Sequence, residues 1–109
     1  MAVFEDFLKL DIRVGTIVEC KAFEKARKPA YQLVIDFGDK VGVKKSSAQI
    51  TDRYSTEELI GKQVLAVVNF PPRRIADFMS EVLVLGTYSE GGVVLITPDK
   101  EVRNGDKLG

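Results

Sequence analysis

"STEELIGKQVLAVVNFPP", residues 55–72, holds one start signal, two stop signals and a buried strand. Ser55 with Glu58 three residues later fits a capping box, in which a hydroxyl and a carboxylate each satisfy a backbone N–H. Gly61 is placed to end the short helix "TEELI", because glycine accepts the left-handed backbone a helix stop requires. From Gln63 to Asn69 the run "QVLAVVN" is almost continuously apolar, as expected of a strand buried on both faces. Pro71 and Pro72 cannot donate ladder hydrogen bonds, so that strand ends at about Asn69 or Phe70.

The flanking segments read as strands separated by turns. "VGTIVECK" (14–21) places Val14, Thr16, Val18 and Cys20 on one face. "YQLVIDF" (31–37) directs Tyr31, Leu33, Ile35 and Phe37 inward, with Gln32 and Asp36 outward. The "GDK" turn returns the chain through Val41 and Val43 to Ala48 as a hairpin. "EVLVLG" (81–86) resembles the 63–69 run, and "VVLIT" (93–97) follows the Gly91-Gly92 turn. The expected fold is therefore all-β: a five-stranded Greek-key barrel with a short helix between strands three and four, plus N- and C-terminal extensions. That is the OB-fold arrangement, which commonly binds oligonucleotides. A length of 109 residues makes a single domain.

Composition removes several classes of function. The chain has no histidine, and so lacks the usual general base and the commonest metal ligand. The single cysteine, Cys20, forms neither an internal disulfide nor a thiolate cluster, and its strand setting reads as a small buried hydrophobe. "GDKVGVKKSS" has the wrong spacing for a phosphate loop. Glu57 and Glu58 fall inside the capping motif, where a structural role suffices. No catalytic residue, cofactor or metal is expected. The segment "MAVFEDFLKLD" carries acids where a signal peptide needs positive charge, and no run approaches the roughly 20 residues that span a bilayer, so a cytoplasmic location without membrane insertion is expected.

Net charge is zero, but its distribution is uneven. Residues 21–53 carry eight basic side chains against four acidic ones, and residues 76–109 carry three against six. A basic face on a neutral molecule follows. "KARK" (25–28) and the pair Lys44 and Lys45 are placed to lie near one another on the open sheet face, with Lys28, Lys44 and Lys45 as candidate RNA contacts. Tyr31 beside them either stacks a base or joins the core. Beyond the prolines, Arg73 and Arg74 are expected on a stiffened connector at the barrel rim, where guanidinium groups engage phosphate or carboxylate. Phe70, Phe78 and Met79 supply adaptable apolar contact beside them, as a peptide groove would need. The competing reading has Phe78 and Met79 sealing the barrel end, with Arg74 paired to Asp77 or Glu81. At the N-terminus, Phe4, Phe7 and Leu8 have helical spacing. They are expected either to cover a second protomer or to plug their own barrel.

Four segments taken together, "DFLKLDIRVGTI" (6–17), "EELIGKQVLAVVNFPPRRIA" (57–76), "SEVLVLG" (80–86) and "TPDKEVRNGDKLG" (97–109), resemble in order and spacing the tRNA-binding domain family. "IDFG", "KKSSAQIT" and "VVNFPPRRIADFMSEVLVLG" are similar to its export-related chaperone branch. The resemblance implies an OB-fold homodimer joined partly through residues 1–10. It implies partners among unfolded or precursor polypeptides and the export machinery, with tRNA as the alternative partner of a structure-selective binder. It carries family tRNA contacts onto Arg73, Arg74 and Ser80. Where the family has Ser-x-Gly-Met, this chain reads Ser80, Glu81, Val82 and Leu83.

Overall fold

The computed structural model describes residues 1–109. It contains strands β1 (Ile12–Ala22), β2 (Tyr31–Asp36), β3 (Val43–Ala48), β4 (Gln63–Val67), β5 (Arg73–Ile75), β6 (Phe78–Ser80), β7 (Leu83–Val84), β8 (Gly86–Ser89) and β9 (Gly92–Leu95). Helices are short: α1 (Phe4–Leu8), the single turn α2 (Gly38–Val41) and α3 (Thr56–Leu59). The main sheet runs β3-β2-β1-β4-β7, all neighbours antiparallel, and it curls until β7 approaches β3. With α3 between β3 and β4, this is the expected OB-fold barrel.

The capping box forms as read. Glu58 N–H donates to Ser55 Oγ at 3.3 Å, and Ser55 N–H donates to the Glu58 carboxylate at 2.8 Å. Gly61 ends the segment with φ +89°. Leu59, the buried residue of this helix, drops into the barrel core.

β1 departs from the simple alternation expected of it. A bulge between Ile17 and Glu19 inserts one residue, so Ile17 opposes Ile35 while both Glu19 and the inserted Val18 lie toward Val34. The inward positions before the bulge are Gly15 and Ile17, and after it Cys20. Val14, Thr16, Val18 and Cys20 therefore do not share a face. Val14 belongs to a second apolar cluster with Ile12, Leu65 and Val67 on the outer surface of β1 and β4, covered by Leu10, Leu85 and Val102. β4 is buried on both faces, as expected, because Val64 and Ala66 fill the barrel while Leu65 and Val67 fill this outer cluster.

The C-terminal segment holds that outer layer in place. Gly105 N–H donates to Val14 O at 2.8 Å, Val14 N–H to Asp106 O at 3.0 Å, and Leu108 N–H to Ile12 O at 2.8 Å. The tail thus occupies the part of the β1 edge that β2 leaves open. The Gln63 amide grips it like a strand neighbour, donating to Val102 O at 2.7 Å and accepting from Val102 N–H at 3.0 Å.

Two expectations around residues 73–86 change. Arg73 and Arg74 stand within β5, which pairs with β6 in a hairpin with Arg73 opposite Ser80, Arg74 opposite Met79 and Ile75 opposite Phe78. β4 ends at Val67, short of the expected Asn69 or Phe70, where Val68 N–H turns to Asp11 O, and the prolines that follow do not prevent a new ladder after them. The run 81–86 gives only the two-residue β7, because Glu81 and Val82 are drawn to the β3 edge and Leu85 crosses to β4.

The β5–β6 hairpin is docked at its tip. Phe78 packs on Phe23 with ring centroids 5.4 Å apart at 59°, in a small cluster with Ala30. Lys25 Nζ donates to Asp77 Oδ2 at 3.0 Å, tying the β1–β2 loop to the hairpin tip. The Lys25 hydrogen bond first, then the charges of Lys25 and Arg74, hold the Asp77 carboxyl below its ordinary value.

Gly15 faces the packed interior, where an added Cβ would stand 2.6 Å from Ile35 Cγ2 and 2.7 Å from the Phe37 ring. Gly15→Ala is expected to lower the stability measured by urea unfolding by about 1–3 kcal/mol, through overpacking. The depressed Asp77 carboxyl predicts a pH effect of definite sign: its stabilisation is present above the unfolded-state pKa and is lost as pH falls through the folded-state value. An NMR titration of the aspartate carboxyl carbons should place Asp77 below the ordinary aspartate value of 3.8, and Lys25→Ala should move it upward. An unchanged midpoint in that variant would show that Lys25 is not the cause.

A candidate binding face between the first loop and the arginine hairpin

The outer surface of β1, β2 and β3 forms the floor of the candidate site, and two loops wall it. One wall is the β1–β2 connection, residues 23–30. The other is the β5–β6 hairpin, carried between β4 and β7. Strands two and three with these two loops form the surface with which OB folds bind extended ligands.

The hairpin wall is latched to β3 by side chains acting as backbone. Lys45 N–H donates to Glu81 Oε1 at 3.0 Å, and Glu81 N–H returns to Lys45 O at 2.8 Å. Ser47 N–H donates to Ser80 Oγ at 3.0 Å, and the buried Ser46 hydroxyl donates to Val82 O at 2.9 Å. These bonds reassign two residues. Glu81 is not the ion-pair partner of Arg74; its carboxylate is spent on the β3 backbone. The Ser80 hydroxyl, carried over by resemblance as an RNA contact, is likewise engaged by Ser47 and lies within 3.5 Å of Val82 O.

The guanidinium groups form no salt bridge. Arg74 Nε donates to Ala76 O at 3.1 Å, and neither Arg73 nor Arg74 forms a salt bridge, since Asp77 is taken by Lys25. Both arginines are exposed, and beside them Phe70 and Met79 expose apolar surface of 42% and 41%. Arg74 and Met79 oppose each other and share one face of the hairpin, whereas Arg73 stands on the other face with Ile75, Phe78 and Ser80, and Phe70 precedes the hairpin. Phe78 is not exposed alongside them: it is 9% accessible and packs in the small cluster with Phe23 and Ala30, so of the sealing alternative only the burial of Phe78 is seen, while Met79 stays exposed.

The lysines divide. Strand alternation puts Lys44 opposite Ile35, on the inward-facing side of β3, and Lys45 opposite Val34, on the outer side. The two therefore cannot line one surface. Lys45 Nζ lies 5.5 Å from the centroid of the Phe78 ring, over the site, and Lys28 is exposed in the first loop. Tyr31 resolves in favour of the core: its hydroxyl donates to Tyr54 O at 2.6 Å, and burial, its largest influence, raises its pKa. Cys20 packs against the barrel core, where burial and then the charge of Glu57 hold its thiol neutral by raising its pKa.

Three exposed aliphatic residues were not singled out from sequence. Val18 and Ile60 line a groove of about 550 Å³ that also includes Val34, Lys45 and Phe78. The third, Leu83, is 49% exposed opposite Val67, on the outer apolar layer. A bulge places Val18 outside, a shortened strand does so for Leu83, and Ile60 follows the last residue of α3. The N-terminal helix α1 buries none of its residues, with Phe4 68% and Leu8 59% exposed. Phe4, Phe7 and Leu8 border a hollow of about 300 Å³ with Leu10 and Leu108. No helix is long and apolar enough to cross a membrane.

Comparison with known proteins agrees with this architecture. A crystal structure of the CsaA chaperone protein from Picrophilus torridus superposes with a TM-score of 0.96 at 56% identity, covering 100% of both chains. A crystal structure of chaperone CsaA from Bacillus anthracis gives a TM-score of 0.93 at 57% identity, covering 100% of this chain and 99% of that one. The methionine–tRNA ligase of Parabacteroides distasonis is 39% identical over 108 residues, which is 96% of this chain but only 15% of the ligase. The family model described as "Putative tRNA binding domain" matches residues 12–107. From β1 to the tail that straps it, then, the chain belongs to the tRNA-binding domain family, and within it is similar to CsaA chaperones along its whole length.

Proposed function

We infer that this chain is a non-catalytic chaperone that binds unfolded or precursor polypeptides to assist their export, acting in the cytoplasm as a homodimer. The observation that carries this reading is the β5–β6 hairpin, where Arg74, in no salt bridge, shares a face with exposed Met79, with exposed Arg73 on the opposite face and exposed Phe70 just before the hairpin. Guanidinium groups bind peptide carboxylates and carbonyls, while phenylalanine and methionine accommodate varied apolar side chains. The similarity to chains described as CsaA chaperones supports the same reading. Phe78 contributes from beneath, as the packed base that holds the hairpin in position.

The alternative, a structure-selective tRNA binder, rests on the family description and on Lys28, Lys45, Arg73 and Arg74. It loses support at Lys44, which faces away, and at Ser80, whose hydroxyl is engaged. The two readings separate by salt: binding that releases counterions from several phosphates falls steeply as salt rises, whereas apolar peptide binding changes little.

Dimerisation is argued from uncovered surface. Phe4 and Leu8 on α1 and Leu83 on β7 are large apolar residues with nothing in their own protomer to cover them. Burying each fully is worth roughly 1.5–3 kcal/mol, and a two-fold contact buries each residue twice.

In an anisotropy titration at two ionic strengths, the affinity for a labelled unfolded peptide should fall modestly as salt rises, by far less than the release of counterions from several phosphates would give. Arg73→Ala combined with Arg74→Ala should weaken it roughly ten-fold with the melting temperature unchanged, given two charge-assisted contacts of about 0.5–1 kcal/mol each. Early unfolding of that double variant would mark the arginines as structural. Light scattering at micromolar concentration should give twice the 12.1 kDa protomer mass. Phe4→Asp with Leu8→Asp should return the single mass with the fold intact, since α1 contributes no buried residue.

A further inference from the structure

The groove beside the hairpin has a charge pattern that specifies more than "apolar". Glu19, Val34 and Lys45 form a row across three strands, because Glu19 opposes Val34 and Val34 opposes Lys45. Directly opposed residues share a face, so an anion and a cation flank one aliphatic position, with Lys21 two residues farther along β1 on the same face, opposite Gln32. The bulge adds Val18 to this face, and Ile60, at the end of α3, closes the other side; these two are 43% and 54% exposed. Neither Glu19 nor Lys45 has an ion-pair partner in the chain.

The lining argues for a side chain and against a nucleobase. Stacking needs an exposed aromatic face, and the one aromatic ring here, Phe78, is buried with Lys45 over it. Val18, Val34 and Ile60 suit a branched aliphatic group. Two strand spacings separate β1 from β3 by about 10 Å, and an extended peptide advances about 3.3 Å per residue. Charged side chains two residues to either side of an anchored aliphatic residue therefore reach the two flanks.

We propose that this groove is a specificity subsite for extended polypeptide segments in which an aliphatic residue is flanked by one basic and one acidic residue, the base toward Glu19 and the acid toward Lys45. The subsite rests on the peptide-binding reading above and adds to it a charge pattern that does not depend on the peptide's net charge.

The test uses labelled peptides in one unstructured Gly/Ser carrier, with the cores Lys-Ser-Leu-Ser-Glu, Lys-Ser-Leu-Ser-Lys, Glu-Ser-Leu-Ser-Glu and Lys-Ser-Ser-Ser-Glu, titrated against the full chain. The mixed-charge leucine peptide should bind about five-fold more tightly than either like-charge peptide, as one exposed attraction replaced by repulsion would give. The serine core should lose that advantage. Glu19→Lys should shift the preference to the doubly acidic core, and Lys45→Glu to the doubly basic one. Both side chains are exposed, and the latch between residues 45 and 81 runs through the Lys45 backbone, so these variants keep the fold. Equal affinities for the three leucine peptides, or preferences unmoved by the two substitutions, overturn the subsite. If those equal affinities still fall in the Arg73→Ala, Arg74→Ala variant, the hairpin reading survives without it. A wild-type chain that binds none of the peptides overturns both. Displacement of the mixed-charge peptide by a single-stranded oligonucleotide, with peptide preference unchanged in Glu19→Lys, assigns the groove to nucleic acid and also overturns it.

Discussion

A curled sheet becomes a barrel only where its two free edges meet, and here that meeting is made largely by side chains. β7 is too short to form a regular ladder with β3. Glu81, Ser80 and Ser46 supply the hydrogen bonds a ladder would have made, each reaching a backbone group on the facing segment. An unpaired edge would leave polar backbone groups without partners and expose a template for aggregation. The closure also fixes the hairpin that precedes it in the chain, so the position of Arg73 and Arg74 follows from a bond between Glu81 and β3.

The second constraint is the bulge in β1. One inserted residue reverses the phase of alternation along an eleven-residue strand. Its first half, before the bulge, alternates normally and serves two cores, one inside the barrel and one on the outer face, because the C-terminal tail covers that face. Its second half presents Val18 and Glu19 on the outer face while Cys20 turns in. β4 lies across from the first half and is buried on both sides for the same reason. A bulge next to a binding surface re-aims side chains without altering the ladder elsewhere.

Electrostatics then distinguishes residues that sequence makes equivalent. Lys25 and Lys45 are both loop-proximal lysines of a basic segment. Lys25 is consumed by Asp77 at 3.0 Å, whereas Lys45 keeps its charge over the site. Because Lys25 takes Asp77 and the β3 backbone takes Glu81, the hairpin arginines retain charge for a partner in a molecule whose net charge is zero.

The sequence alone determined what depends on neighbours along the chain. The capping box at Ser55 and Glu58, the stop at Gly61, the end of β4 before Pro71 and the alternation of Tyr31, Leu33, Ile35 and Phe37 all depend on spacings of a few residues, and from them the barrel followed. Tertiary structure alone decided which face Lys44 and Lys45 take, that Phe78 is core while Met79 is surface, and that Glu81 serves β3 rather than Arg74. The physical reason is that these outcomes depend on the phase of a strand and on partners 36 residues apart, as with Lys45 and Glu81. A carboxylate seven residues from an arginine instead serves a strand-edge N–H that only the folded chain brings to it.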